Sequence, residues 1–143
     1  GLGHVARWML ARRHPDGDHP LAAVANRWHG PQAGDGRQDL PAAVSAAARQ
    51  GDDLACEALD LWLGAYGAAV GDLALNSLCR GGVWLAGGTA AKLLDGLRSE
   101  RFIHPFLAKG RLRAVLEPIP IQAAIDPDLG SFSAACRARM LLA

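Results

Sequence analysis

The sequence has almost no excess of charge of either sign: 15 Lys and Arg stand against 14 Asp and Glu, a formal net charge of +1. Such a chain has no large field to draw it to nucleic acid or to an anionic membrane, and neither partner is expected. Long apolar runs are missing too. The longest uncharged stretch within a helical pattern, Leu61 to Gly71, is about half of the ~20 residues that a spanning helix needs, so a soluble chain is expected. The three cysteines, Cys56, Cys79 and Cys136, lack any CxxC spacing, and their odd number leaves at least one unpaired. If one helix carries Cys56 and Cys79, they stand roughly 35 Å apart, beyond disulfide reach. All three read as buried thiols of a reducing, cytoplasmic compartment. An initiating Met is also absent, which leads to the expectation that Gly1 lies inside a longer protein.

What is present is enough apolar sequence, 50% of 143 residues, for one domain-sized core. Leu2, Val5, Ala6, Met9 and Leu10 predict a helix from Leu2 to Arg13. His14 to Asp39 reads as a long polar excursion, broken by an apolar patch from Leu21 to Trp28 that suits a short helix. Asp39-Leu40-Pro41 opens a helix reaching Gln50, with Pro41 tolerated in its first turn. Gly51-Asp52-Asp53 then breaks the chain and supplies an N-cap for the longest helix, whose period runs from Leu54 to Leu73. Gly64, Ala65, Gly67, Ala68, Ala69 and Gly71 in its middle imply that another helix crosses very close. Gly81-Gly82 ends this segment.

A strand follows from Val83 to Ala86, then a helix capped by Thr89 and striped by Leu93, Leu94 and Leu97. Further helices contain Phe102, Ile103, Phe106 and Leu107, then Leu112 to Leu116. Pro118-Ile119-Pro120-Ile121 enters a second strand reaching about Ile125, at an edge or strand-start position. Asp126-Pro127-Asp128 is a turn, and Phe132 to Leu142 a final helix. Two strands make too small a sheet alone, so sheet-forming sequence is expected upstream.

The candidate site is the run Gly81-Gly82-Val83-Trp84-Leu85-Ala86-Gly87-Gly88-Thr89. A buried strand feeding Gly87 and Gly88 lets a ligand approach the backbone, while Thr89 and the first helical amides supply donors. On the motif alone, a tight turn holding no ligand is the competing reading. His14-Pro15-Asp16-Gly17-Asp18-His19 has residue types that bind metals. Pro and Gly explain it as a solvated polar turn, and no further ligand cluster fixes a coordination geometry. His29 reads as a surface or packing residue. Arg98, Arg101, Lys109, Arg111 and Arg113 read as solvated helix faces, with no interleaved aromatics for stacking.

Taken in order, Gly71-Asp72-Leu73-Ala74-Leu75, Gly81 to Gly88, Phe106-Leu107-Ala108-Lys109-Gly110-Arg111, Ile119-Pro120-Ile121 and Asp128-Leu129-Gly130 resemble the C-terminal portion of bacterial-type ATP-dependent glucokinases over nearly the whole chain. The resemblance implies an α/β chain: the C-terminal part of the actin-like, ribonuclease H-like hexokinase-type fold, helix-rich with few strands in this segment. By it, residues 1–128 belong to the large, ATP-side lobe. Residues 129–143 form a C-terminal helix that returns to a missing small lobe. The stretch from Gly64 to Asn76 resembles the connecting helix near the interlobe hinge.

Leu85-Ala86-Gly87-Gly88-Thr89 resembles the adenosine motif, making Gly87, Gly88 and Thr89 the implied nucleotide contacts. ATP and Mg are the implied cofactors, glucose the partner substrate, and a cytoplasmic homodimer the implied state. The Asp general base, the Glu, His and Asn residues that grip sugar, and the Gly-rich phosphate turn all fall upstream of Gly1 by the same comparison. No catalytic residue and no metal ligand is therefore assigned here, and the segment alone is expected to be inactive. The chain departs from the family at Gly130-Ser131-Phe132-Ser133-Ala134-Ala135, where a pattern closer to Gly-Leu-x-Gly-Ala-Ala is usual. Two alternatives stand beside this reading: another sugar kinase of the same fold, and a noncatalytic nucleotide-binding or dimerisation module derived from one.

Overall fold

The structure, a computed structural model, describes residues 1–28 and 39–142; His29 lies outside the described residues. The chain divides into two compact units, Gly1–Ala65 and Tyr66–Ala143.

The first unit is helical. It holds α1 (Leu2–Arg13), α2 (Ala22–Arg27), α3 (Leu40–Arg49) and the part of α4 (Asp53–Ser77) up to Ala65. The helical spacing of Leu2, Ala6, Met9 and Leu10 puts all four on one face of α1. They are buried there with Leu21, Ala25, Trp28, Leu40, Val44, Leu54, Ala55 and Ala58. A Cβ at Gly3 would stand 2.8 Å from the Trp28 ring, so this glycine is what lets Trp28 lie against α1.

Both expected caps form. Asp39 accepts from the Ala42 amide at 3.4 Å, with Pro41 in the first turn of α3, and Asp52 Oδ1 accepts from the Ala55 amide at 2.8 Å. The end of α1 is joined to α4 by a two-pronged pair in which Arg13 donates to both carboxylate oxygens of Glu57, at 2.5 and 2.7 Å.

The second unit holds the rest of α4, then β1 (Val83–Leu85), α5 (Gly88–Lys92), α6 (Leu94–Arg98) and α7 (Glu100–Leu107). A 3₁₀ turn (Gly110–Leu112), α8 (Arg113–Leu116), β2 (Ile121–Ala123) and α9 (Leu129–Leu141) complete it. This is a helix-rich α/β arrangement with one two-stranded parallel sheet among the described residues. The register pairs Val83 with Ile121, Trp84 with Gln122 and Leu85 with Ala123. The second strand is shorter than expected: the last rung is the Ala124 amide on the Leu85 carbonyl, at 2.8 Å, and Ile125 is already outside the pairing. Pro120 stands at the strand start, where it lacks a donor but still accepts from the Val83 amide at 2.8 Å. Side-chain alternation places Val83, Leu85, Ile121 and Ala123 on one face of the sheet and Trp84 and Gln122 on the other.

The small residues of α4 serve a close crossing by α7. A Cβ at Gly67 would collide with the carbonyl oxygen of Phe102, and one at Gly71 with that of Phe106. The Phe102 and Phe106 side chains are themselves fully buried. Lys109 closes the contact. Its Nζ donates to the Ala68 carbonyl at 2.8 Å and to Asp72 Oδ1 at 2.6 Å, and its side chain is only 13% exposed. Just past the C-terminus of α4, Leu78 takes a left-handed backbone (φ 45°). A residue with a Cβ pays about 1–2 kcal/mol for that conformation.

The structure departs from the sequence reading at several points. The uncharged run from Leu61 to Gly71 belongs to a 25-residue helix, α4, which by length and composition alone is long and apolar enough to cross a membrane. A core helix passes the same test, and Leu63, Val70 and Ala74 of α4 are buried. The condition under which the separation of Cys56 and Cys79 was set, one helix carrying both, is not met, since α4 ends at Ser77. Nor are the thiols uniformly buried: Cys56 and Cys79 are half-buried and Cys136 is exposed. The last helix begins at Leu129, earlier than expected, and buries no residue, leaving Phe132, Met140 and Leu141 exposed.

The α4–α7 crossing gives a signed prediction. In an open site Gly71→Ala would gain about 1 kcal/mol of helix propensity. Against the Phe106 carbonyl it is expected to lose about 1–3 kcal/mol through overpacking. Chemical denaturation of the two proteins measures the difference, and an Ala variant at least as stable as the parent would refute the close approach.

Candidate functional site

The chain leaves β1 through Ala86 and turns at Gly87, whose backbone angles (φ 96°, ψ 171°) are closed to residues with a Cβ. Gly87 is the N-cap of α5, Gly88 its first residue and Thr89 its second. The expectation that Thr89 caps this helix is therefore wrong: the cap position falls two residues earlier, where no side chain exists, and no side-chain cap bond forms. Only the Ala90 amide is satisfied locally, by the Gly87 carbonyl at 3.0 Å. The N–H groups of Gly88 and Thr89 meet no protein acceptor among the described residues. Helix α5 has five residues, too few for a strong summed dipole, so these individual amides carry whatever attraction for anions the turn has.

The two glycines differ in why they are glycine. Gly87 is required by its own backbone. Gly88 is not in the left-handed region, and an added Cβ there would meet nothing within 4 Å. Nothing in the conformation or packing of this chain asks for a glycine at 88, and Gly87, Gly88 and Thr89 are all exposed.

Leu85, at the end of β1, lines a cavity of about 480 Å³. Its wall consists of Leu85, Ile121, Gln122 and Ala123 from the strands, Leu94, Leu97 and Arg98 from α6, Ile103 from α7, and Ile125. Gly87, Gly88 and Thr89 are not part of the wall. Sequence reasoning did not find this cavity, because its residues come from three separated stretches that only the parallel pairing of β1 and β2 brings together.

The basic residues do not form one patch. Lys109 turns inward onto α4, contrary to the expectation of a solvated face, while Arg113 donates to Glu117 at 2.8 Å and Arg98 faces the cavity. The link between Lys109 and Asp72 also joins two of the segments singled out in the sequence, Gly71-Asp72 and Lys109-Gly110-Arg111.

In the first unit, the residues from His14 to His19 form a hydrogen-bonded turn. His14 Nδ1 lies 2.8 Å from Asp18 Oδ1. His19 Nδ1 accepts the Leu21 amide at 3.2 Å, which assigns the donor role toward Asp52 Oδ2, 3.2 Å away, to Nε2. The two rings are 4.8 Å apart. Among the described residues no group of three or more His, Cys, Asp or Glu is placed to hold a metal ion.

The hydrogen bond with His14 holds the Asp18 carboxyl below its ordinary range, and the bonds from Arg13 do the same for Glu57. A carboxyl depressed on folding stabilises the fold above its unfolded value and loses that contribution as pH falls through the folded one. The stability difference between the parent and Glu57→Gln is thus expected to be constant near neutrality and to shrink below about pH 4.5. Denaturation series at several pH values read this directly, and a difference at pH 3 equal to that at pH 7 would contradict the pairing.

Comparison with known proteins adds the following. The family model described as Glucokinase matches residues 2–141. A glucokinase of Trichormus variabilis is 41% identical over 144 residues, covering 98% of this chain and 42% of its own length. One from Synechocystis is 46% identical over 98 residues, 68% of this chain and 28% of its own. A third, from Chromohalobacter salexigens, is 42% identical over 98 residues, covering 68% and 31%. The chain thus spans less than half the length of these curated relatives. No solved structure matches it.

Proposed function

Because the chain belongs to the glucokinase family, we propose that it is the C-terminal, nucleotide-side part of a cytoplasmic enzyme that transfers the γ-phosphoryl group of ATP to the 6-hydroxyl of glucose. The observation that carries the nucleotide assignment is Gly88. It is a glycine demanded by neither backbone nor packing, exposed, and set among amides without acceptors. A ligand lying along the backbone gives such a residue a reason, because a Cβ would hold that ligand away. Gly87 then shapes the turn, and the Gly88 and Thr89 amides donate to the ribose or phosphate oxygens. Thr89 adds a hydroxyl at the same edge.

Phosphoryl transfer depends on bringing the nucleophile, the γ-phosphoryl and the compensating charge into line, with little covalent work for the protein. In this reading the present chain positions the nucleotide. The carboxylate that takes the sugar proton and the groups that hold glucose lie in the remainder of the enzyme, so these 143 residues alone are inactive. Mg accompanies the triphosphate. No residue of this chain is assigned to it.

Residues 1–128 are read as large-lobe sequence. The helix in residues 129–143 is read as returning to the small lobe, in keeping with the exposure of Phe132, Met140 and Leu141. A parallel sheet of two strands among the described residues fits the same division, since parallel sheets ordinarily occur in larger α/β units covered on both faces. The enzyme is proposed to act as a homodimer.

The Gly88→Ala variant tests the nucleotide assignment. With no clash to relieve, stability is expected to stay within about 0.5 kcal/mol of the parent, while ATP affinity falls at least about tenfold as the methyl displaces the ligand. Thermal melting and calorimetric titration on the same preparations separate the two effects. Unchanged ATP affinity in the variant would remove the assignment.

A further inference from the structure

We propose that the Asp16–Gly17 bond is a site of spontaneous covalent modification, where aspartate rearranges to isoaspartate at a rate set by the hydrogen bonds of its own turn. In this rearrangement the Gly17 amide nitrogen attacks the Asp16 carboxyl carbon. A C–N bond forms, water leaves with one carboxyl oxygen and the amide proton, and a five-membered succinimide results. Water then opens the ring at either carbonyl. One opening restores aspartate. The other leads the main chain through the Asp16 Cβ, which adds a methylene to the backbone and leaves a carboxylate on Cα. Water is the only co-reactant, so no enzyme has to act.

The geometry of the turn favours ring closure here. Pro15 and Asp16 are the central residues of a β-turn that the Gly17 amide closes on the His14 carbonyl, at 3.0 Å. Asp16 and Gly17 are exposed, and the Asp16 carboxyl has no partner among the described residues. A Cβ added at Gly17 would meet nothing within 4 Å, so nothing packs against the attacking amide. Attack requires that amide to leave the His14 carbonyl, and the reaction therefore proceeds from the opened turn. The bond between His14 Nδ1 and Asp18 Oδ1, 2.8 Å long, spans the turn and holds it closed. Asp95-Gly96 is an internal contrast. Asp95 is exposed as well, but it lies in α6, where the Leu97 amide on Leu93 and the Ser99 amide on Gly96 hold the backbone helical. A third pair, Asp35-Gly36, lies outside the described residues.

The added methylene would fall between His14 and His19. His19 accepts the Leu21 amide on one ring nitrogen and faces Asp52 with the other, and Asp52 caps α4 through the Ala55 amide. Isoaspartate at position 16 thus displaces the side chain that ties this turn to the start of α4.

The test incubates the 143-residue chain in warm, near-neutral buffer for several weeks. Isoaspartate is counted with a protein isoaspartyl methyltransferase and labelled S-adenosylmethionine, and is located by peptide mapping with electron-transfer fragmentation. The parent is compared with Asp16→Glu, whose longer side chain disfavours the ring, and with His14→Ala and Asp18→Ala, which cut the bond across the turn in two ways. Melting curves confirm that each protein is folded. In the parent, isoaspartate is expected to accumulate in the peptide holding Asp16 and not in the one holding Asp95. Asp16→Glu is expected to lose the signal from its peptide. His14→Ala and Asp18→Ala are expected to raise the rate at Asp16 about two- to tenfold, the change in open population that loss of one hydrogen bond brings, with the rate at Asp95 unchanged. No isoaspartate at Asp16, or as much at Asp95, would overturn the site. Rates at Asp16 unchanged in both turn variants would overturn the control by the turn.

Discussion

The second unit depends on one close approach, the crossing of α7 over the glycine face of α4. Two backbone carbonyls, those of Phe102 and Phe106, occupy the space that side chains at positions 67 and 71 would need. The aromatic rings of the same two residues are buried. Lys109 then spans the crossing, with its amine on a helix carbonyl and on Asp72. Glycine weakens an isolated helix by about 1 kcal/mol. Here that cost is offset by burial of two phenylalanines, each contributing about 1.5–3 kcal/mol. The helix is a poor one by propensity because it is a good one for contact.

From this crossing the rest of the unit can be followed outward. Fixing α7 fixes one wall of the cavity, through Ile103, and the chain leading into it from α6, which supplies Leu94, Leu97 and Arg98. The parallel pairing of β1 with β2 supplies the opposite wall and aims the end of β1 at the glycine turn. Gly87 reverses the chain there in a conformation that only glycine enters easily. The result is a strand end carrying an exposed piece of backbone whose Gly88 and Thr89 amides meet no acceptor among the described residues. That is the arrangement expected of a surface that binds phosphate or ribose through the main chain.

Much of this was legible in the sequence because local signals agreed. The bounds of α1 follow from apolar spacing and a basic last turn, and Asp39 and Asp52 announce the starts of α3 and α4 as side-chain caps. The run of small residues in α4 foretells a close helix. Thr89 was misread because a hydroxyl residue after a glycine pair looks like a cap. The turn instead spends a glycine on that position and draws Thr89 into the helix. The inward turn of Lys109 and the cavity were not readable at all. The Lys109 contacts span 41 and 37 positions and the cavity wall runs from Leu85 to Ile125, and spacing rules do not reach that far. Exposure of Cys136 belongs to the same class, since the sequence shows an apolar helix in α9 but not whether anything covers it.

The central claim is that the Gly88 and Thr89 amides form the nucleotide-facing edge of this chain. Residue-resolved amide hydrogen exchange, with and without ATP, addresses it most directly. Without ligand both amides are expected to exchange at nearly unprotected rates, since no acceptor among the described residues holds them. With ATP both are expected to slow, while the amides buried in the α4–α7 crossing keep their rates. Exchange at Gly88 and Thr89 that is indifferent to saturating ATP, or already protected without it, would contradict the account.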